Sequence, residues 1–120
     1  MAILDNSKNK QSWKVALMRN LASDLINYEK LTLTLHRAKL LQSYMEKVIT
    51  IAKQETLHAK RQVNNYIRDV KTNKNISVNK KLFTVLLLKF KNRQGGYTKI
   101  LKLNNQRKGD NATLAIIQFS

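Results

Sequence analysis

Three observations predict a two-layer α+β fold, with helices packed on one face of a small mixed sheet. Apolar residues recur at helical spacing in four segments, one segment alternates at period two and two more are rich in strand-forming residues, and the segments run in the order α-β-α-α-α-β-β. The 120 residues are one domain's worth and suffice to bury a modest core. Residues 1–12 read as a short polar arm, and residues 13–120 as a single α+β domain.

Ser12 is placed to cap a first helix from Trp13 to Tyr28, whose Trp13, Leu17, Leu21, Leu25 and Tyr28 are expected to form its core face. Lys30 to Leu35 then changes period. Leu31, Leu33 and Leu35 alternate with Lys30, Thr32 and Thr34, the pattern of a half-buried strand. Helical spacing returns from His36 to Lys53, with Ala38, Leu41, Met45, Val48 and Ala52 on one stripe flanked by Leu40, Tyr44 and Ile51.

A third helix is predicted over Thr56 to Val70, burying Ala59, Val63, Tyr66, Ile67 and Val70. Lys71 to Ile76 is polar and reads as a loop, after which Ser77 can cap a fourth helix reaching Phe90. That helix is apolar nearly all round, so it is expected to sit against both the sheet and the other helices. Gly95-Gly96 ends the helical pattern. Tyr97 to Leu103 and Thr113 to Phe119 have strand character and suggest a hairpin, joined by a long loop with Arg107 and Lys108 at its tip and Gly109-Asp110-Asn111 as its turn.

Charge is the most informative property of the chain. Twenty-three basic residues stand against 7 acidic ones, a net charge of +16. Residues 1–60 hold 10 basic and 5 acidic groups, whereas residues 61–120 hold 13 and 2. Seven acids cannot pair internally with 23 bases, so a polyanionic partner is implied. Several function classes lack their signatures. The longest aliphatic run, Val85 to Leu88, cannot cross a bilayer, and the N-terminal residues resemble neither a secretory signal nor a transit peptide, so a cytoplasmic location is expected. There is no Cys, and His36 and His58 stand apart from each other and from carboxylate neighbours, so neither metal nor cofactor is expected. The acids are scattered singly, which gives no pair for acid–base catalysis, and the chain reads as a non-enzyme without a small-molecule substrate.

The densest candidate site is Arg93, Gly95, Gly96, Tyr97 and Lys99. Paired glycines expose amide donors and permit close backbone approach, two cations bracket them, and the Tyr97 ring can stack on a base or sugar. The plainer alternative is a glycine turn entering a strand, with Tyr97 in the core. Lys14, Arg19 and Asn20 on the first helix, and Arg37 and Lys39 opening the second, form a further candidate group. Cations at a helix start oppose its dipole, which a phosphate partner would explain. Lys60 and Arg61 project from the third helix, and Arg107 and Lys108 from the hairpin loop. A free DNA-binding protein or an RNA-modifying enzyme would also suit the charge, but no base-reading helix and no clustered catalytic site is legible.

Several stretches together resemble the bacterial large-subunit ribosomal protein seventeen family, from about Ser12 to Phe119. They are Ala16-Leu17-Met18-Arg19-Asn20-Leu21, Thr34-Leu35 through Arg37-Ala38-Lys39, Ile49-Thr50-Ile51-Ala52-Lys53, and Lys81-Leu82-Phe83 leading through Arg93 to Gly95-Gly96-Tyr97-Thr98-Lys99-Ile100-Leu101-Lys102, then Gly109-Asp110-Asn111-Ala112. The resemblance implies the same element order, binding to large-subunit ribosomal RNA near the rim of the polypeptide exit tunnel, and neighbouring large-subunit ribosomal proteins as further partners. The chain departs from the family in its first residues. Where the family has a strongly basic arm, Met1 to Gln11 holds only Lys8 and Lys10 together with Asp5.

Overall fold

A computed structural model describes residues 6–68, 77–106, 109 and 112–120. Its elements are α1 (Asn6–Tyr28), β1 (Lys30–Thr34), α2 (Leu35–Ala52), α3 (Leu57–Val63), a helical stretch of α4 (Val78–Lys81), a π-helical turn (Leu82–Leu86) and α5 (Leu87–Phe90), then β2 (Thr98–Gln106) and β3 (Thr113–Phe119). The α+β class and the order of elements agree with the sequence reading.

α1 corrects that reading in two ways. It starts at Asn6 rather than after a cap at Ser12, so much of the expected arm is helical. Asn6 to Gln11 contains no Gly or Pro to break the helix, and its Asn and Ser residues fall at the helix start, where such side chains suit the free backbone amides. Its core face is Met18, Ala22, Leu25 and Ile26, while Trp13 is 59% exposed and Tyr28 55%. The cause is helical phase. A row stepping strictly by four residues drifts roughly 40° per step at 3.6 residues per turn, so Trp13 and Leu25 lie about 120° apart. The true face mixes steps of three and four.

α2 is the central helix. Ala38, Leu41, Met45, Val48 and Ala52 are all buried as its spacing predicts, with Ile49 beside them. Thr34 caps it, its Oγ1 accepting from the Arg37 backbone N–H at 3.5 Å. α3 is shorter than expected, ending at Val63 instead of Val70. Thr56 Oγ1 accepts from Ala59 N–H at 3.0 Å and starts it, but Asn64-Asn65 follow, whose side chains compete for backbone groups. Tight turns take over, with Asn65 N–H donating to Gln62 O at 3.0 Å and Tyr66 N–H to Val63 O at 2.9 Å. Val70 and the expected loop over 71–76 lie outside the described residues. Ser23 secures the segment after α3 to α1, accepting from Arg68 N–H at 2.6 Å and donating to Arg68 O at 2.9 Å.

The helical stretch from Val78 to Phe90 begins as predicted, with Ser77 Oγ accepting from Lys80 N–H at 3.2 Å. Val78, Leu82, Leu86 and Phe90 are spaced by four, yet all are buried. The π-helical turn accounts for this. By adding residues to one turn, it holds on one side a row that would spiral away in a plain α-helix. Coverage is incomplete, however, since Val85 is half exposed and Leu88 is 75% exposed.

Among the described residues the strands form one sheet in the order β1-β3-β2, antiparallel throughout rather than mixed. The β2–β3 hairpin makes that pair antiparallel, and β1 joins the far side of β3 with Leu31 opposite Ile117 and Leu33 opposite Ala115. α2 packs on the inner face, where Leu31, Leu33, Ile100, Ala115, Ile117 and Phe119 meet the helical core. The sheet is thereby covered on one side only.

Tyr44 joins α2 to the segment after α3. Its hydroxyl donates to Tyr66 O at 2.6 Å, and the two rings meet edge to face at 5.7 Å. Burial pushes the Tyr44 phenol up to about 12, outweighing the lowering effect of Arg19. The folded state thus favours the neutral phenol. In the unfolded chain it ionises near pH 10, so its contribution to stability is complete below about pH 10 and is lost as pH rises through about 12. Alkaline titration followed by circular dichroism is expected to show a stability loss in that window that Tyr44→Phe reduces.

Candidate nucleic-acid interface

The uncovered face of the sheet follows from strand register. Residues paired across strands share a face, so Lys30, Gln118 and Lys99 form one row across β1, β3 and β2, and Thr32, Ile116 and Leu101 form the next. Lys30 and Lys99 are exposed, as are Thr32 and Leu101. Two ammonium groups thus flank a short polar and aliphatic platform. Lys30 was not among the predicted site residues; its alternation with the buried side of β1 is the signal that marks it.

The Arg93–Lys99 cluster divides. Tyr97 is only 3% exposed, and its ring stacks edge to face on Phe90 at 5.3 Å, so of the two readings of this turn its ring takes the core role and not the stacking on a base. Its hydroxyl donates to Arg93 O at 3.2 Å and accepts from Lys53 Nζ at 3.0 Å; Lys53 Nζ also donates to Arg93 O. Gly96 sits at φ +64° and Gly95 at φ +151°, conformations that favour glycine. The Gly96 amide is not offered to a ligand, because it donates to Glu46 Oε1 on α2 at 3.2 Å. Arg93 donates to the Ser120 backbone O at 3.2 Å and to Gly96 O at 3.4 Å. This turn is a clamp that fastens the start of β2 to α2. Lys99 alone projects from it onto the open sheet face.

The other candidates spread over the helical side. Lys14 lies on α1 at the edge of a groove against α2, with Val15, Met18, Leu40, Tyr44 and Lys47 as further lining. Arg37 reaches back so that its guanidinium lies 5.8 Å from the Trp13 ring centre, which accounts for an exposed tryptophan. Arg19 is half buried, with its Nε lacking a hydrogen-bond partner. Asn20, Lys39 and Arg61 are exposed. Lys60 Nζ lies 5.7 Å from the Phe83 ring centre across the gap between α3 and the π-helical turn. Arg107 and Lys108 fall outside the described residues.

The predicted residues therefore do not converge on one pocket. Lys99 lies on the open sheet face, Lys14, Arg19, Asn20, Arg37 and Lys39 along an α1–α2 edge, Lys60 and Arg61 on α3, and Arg93, Gly95, Gly96 and Tyr97 in the clamp. Among the described residues one ion pair with a carboxylate forms, Lys81 to Glu29 at 3.9 Å, and Lys81 also donates to Asn27 O at 2.9 Å. No three His, Asp or Glu side chains come together there to hold a metal, and no helix there is long and apolar enough to cross a membrane.

Residues 17–120 match the family model described as Ribosomal protein L17. The chain is 46% identical over 119 residues to the large ribosomal subunit protein bL17 of Mesoplasma florum, covering 99% of both chains. Against the protein of that name from Mycoplasma capricolum identity is 44% with the same coverage, and against that from Thermoanaerobacter sp. strain X514 it is 48% over 104 residues, 87% of each chain. With the model spanning nearly all of the folded chain and relatives this similar along its length, the protein belongs to the Ribosomal protein L17 family.

Proposed function

We propose that this protein is a structural constituent of the large ribosomal subunit in the bacterial cytoplasm, where it binds ribosomal RNA near the rim of the polypeptide exit tunnel, beside other large-subunit proteins. The observation that carries the RNA-binding reading is the excess of cations that the fold leaves uncompensated. A +16 chain whose described residues form one lysine–carboxylate pair holds its charge against self-repulsion, which a phosphate backbone relieves. The names of its relatives and its family membership support the large subunit, and the tunnel rim rests on family resemblance. Lys30, Lys99 and the cations of the α1–α2 edge and of α3 are the proposed phosphate contacts. The helical core and the clamp at Arg93 to Tyr97 make the scaffold stiff, so the cations are held at fixed separations. Such a surface favours shape over base identity.

Sedimentation tests the assignment. The protein is expected to co-migrate with large subunits and to stay with them through a moderate salt wash. A predominantly free pool, or migration with chromosomal DNA, overturns it.

A further inference from the structure

A cleft of about 360 Å³ opens between α3 and the start of the next helical stretch, lined by Lys60, Asn64, Asn79, Lys80, Phe83 and Thr84. Its size falls within the range of small-ligand sites, roughly 300–1,000 Å³. Its chemistry differs from that of the α1–α2 groove, whose lining holds no carboxamide. Here two carboxamides lie side by side, Asn79 Nδ2 donating to Asn64 Oδ1. The half-buried Phe83 ring stands beneath the Lys60 ammonium, and the exposed Lys80 stands at the rim. No carboxylate is among the described lining residues.

We propose that this cleft seats one unpaired nucleotide of the bound RNA, an inference that rests on the RNA-binding reading above. An aromatic face, amide donors and acceptors, and two flanking ammonium groups are the complement of a base with phosphates on either side. The base stacks on Phe83, taking the place of Lys60, whose ammonium moves to a phosphate. Asn64, held in place by Asn79, meets the base edge, and Lys80 meets the second phosphate. A nucleotide within a duplex cannot enter, because both its faces are stacked and its pairing edge is occupied. An acidic peptide would use the lysines but leave the ring and the amides unused.

The test compares the full chain with Phe83→Leu and Asn64→Ala, using a short oligouridylate and a fully paired RNA hairpin as probes in fluorescence anisotropy. Phe83→Leu is expected to weaken oligouridylate binding about fivefold or more while leaving hairpin binding unchanged. Phe83 also packs against the core, so Asn64→Ala, on an exposed residue, must show a selective loss in the same direction. If either variant binds oligouridylate as tightly as the unaltered chain, the cleft is not a nucleotide seat, and retained hairpin binding leaves the wider RNA reading standing. If the unaltered chain binds neither RNA, both readings fail. Protection of the cleft by polyglutamate and not by oligouridylate assigns it to an acidic peptide and overturns the proposal.

Discussion

Phe90→Ala is expected to lower the free energy of unfolding by about 3–5 kcal/mol, the largest single loss available in this core. Phe90 is fully buried where helices and sheet meet, edge to face with Tyr97 at 5.3 Å and tilted against Phe119 at 5.7 Å. Its removal leaves a cavity bounded by two further aromatic rings, and it also unseats the ring whose hydroxyl joins the Arg93 clamp. Since a domain of this size is stable by roughly 5–15 kcal/mol, the variant is expected to be only marginally folded. Urea denaturation measures the change. An unaltered midpoint and slope would show that Phe90 is not the junction the structure makes it.

Binding of the protein to large-subunit RNA is expected to fall steeply with salt, with a log-log slope near −4 if about six phosphates are neutralised. Raising monovalent salt fourfold then weakens binding by roughly two orders of magnitude. Reversing both Lys30 and Lys99 to Glu is expected to lower affinity and flatten the slope by roughly 1.3, the share of two of the six proposed phosphate contacts. Both side chains are exposed on the open sheet face, so the fold should be unaffected. Titrations across a salt series decide the matter, and a slope near zero removes counterion release as the source of affinity.

The sequence made element type legible wherever a periodic pattern was unambiguous. The alternation of Leu31, Leu33 and Leu35 with polar residues, and the α2 stripe from Ala38 to Ala52, correspond to a one-sided strand and a buried helix face. Phase and direction were harder. The row from Trp13 to Leu25 obeys an i+4 rule but rotates around the helix, so that Leu25 is buried and Trp13 is not, whereas the row from Val78 to Phe90 obeys the same rule and stays, because of a π-helical turn that no local residue announces. Strand direction across β1 and β3 depends on a pairing between segments some eighty residues apart, which periodicity does not encode.

For the interface, composition points to a polyanionic partner but not to contact residues. Gly95-Gly96-Tyr97 reads equally as a ligand loop or a turn. Only the position of Glu46 on α2, distant in sequence, decides that the Gly96 amide is occupied. A single lysine at the edge of a strand carries no motif, and only strand register, which places Lys30 in a row with Lys99, marks it as a proposed contact.

The sheet has its last strand in the middle: β1 and β2 never touch, and β3 bonds to both. A polypeptide made from its N-terminus therefore carries Leu31, Leu33 and Ile100 with no inner-face neighbour on β3 until residues 113–119 have emerged. Helices can form early, but closure of the domain is a late, long-range event and correspondingly slow. Shortening this wait, for instance by a circular permutation that opens the chain ahead of β2 so that β2 and β3 are made before α1 and β1, is expected to accelerate folding without altering the final architecture.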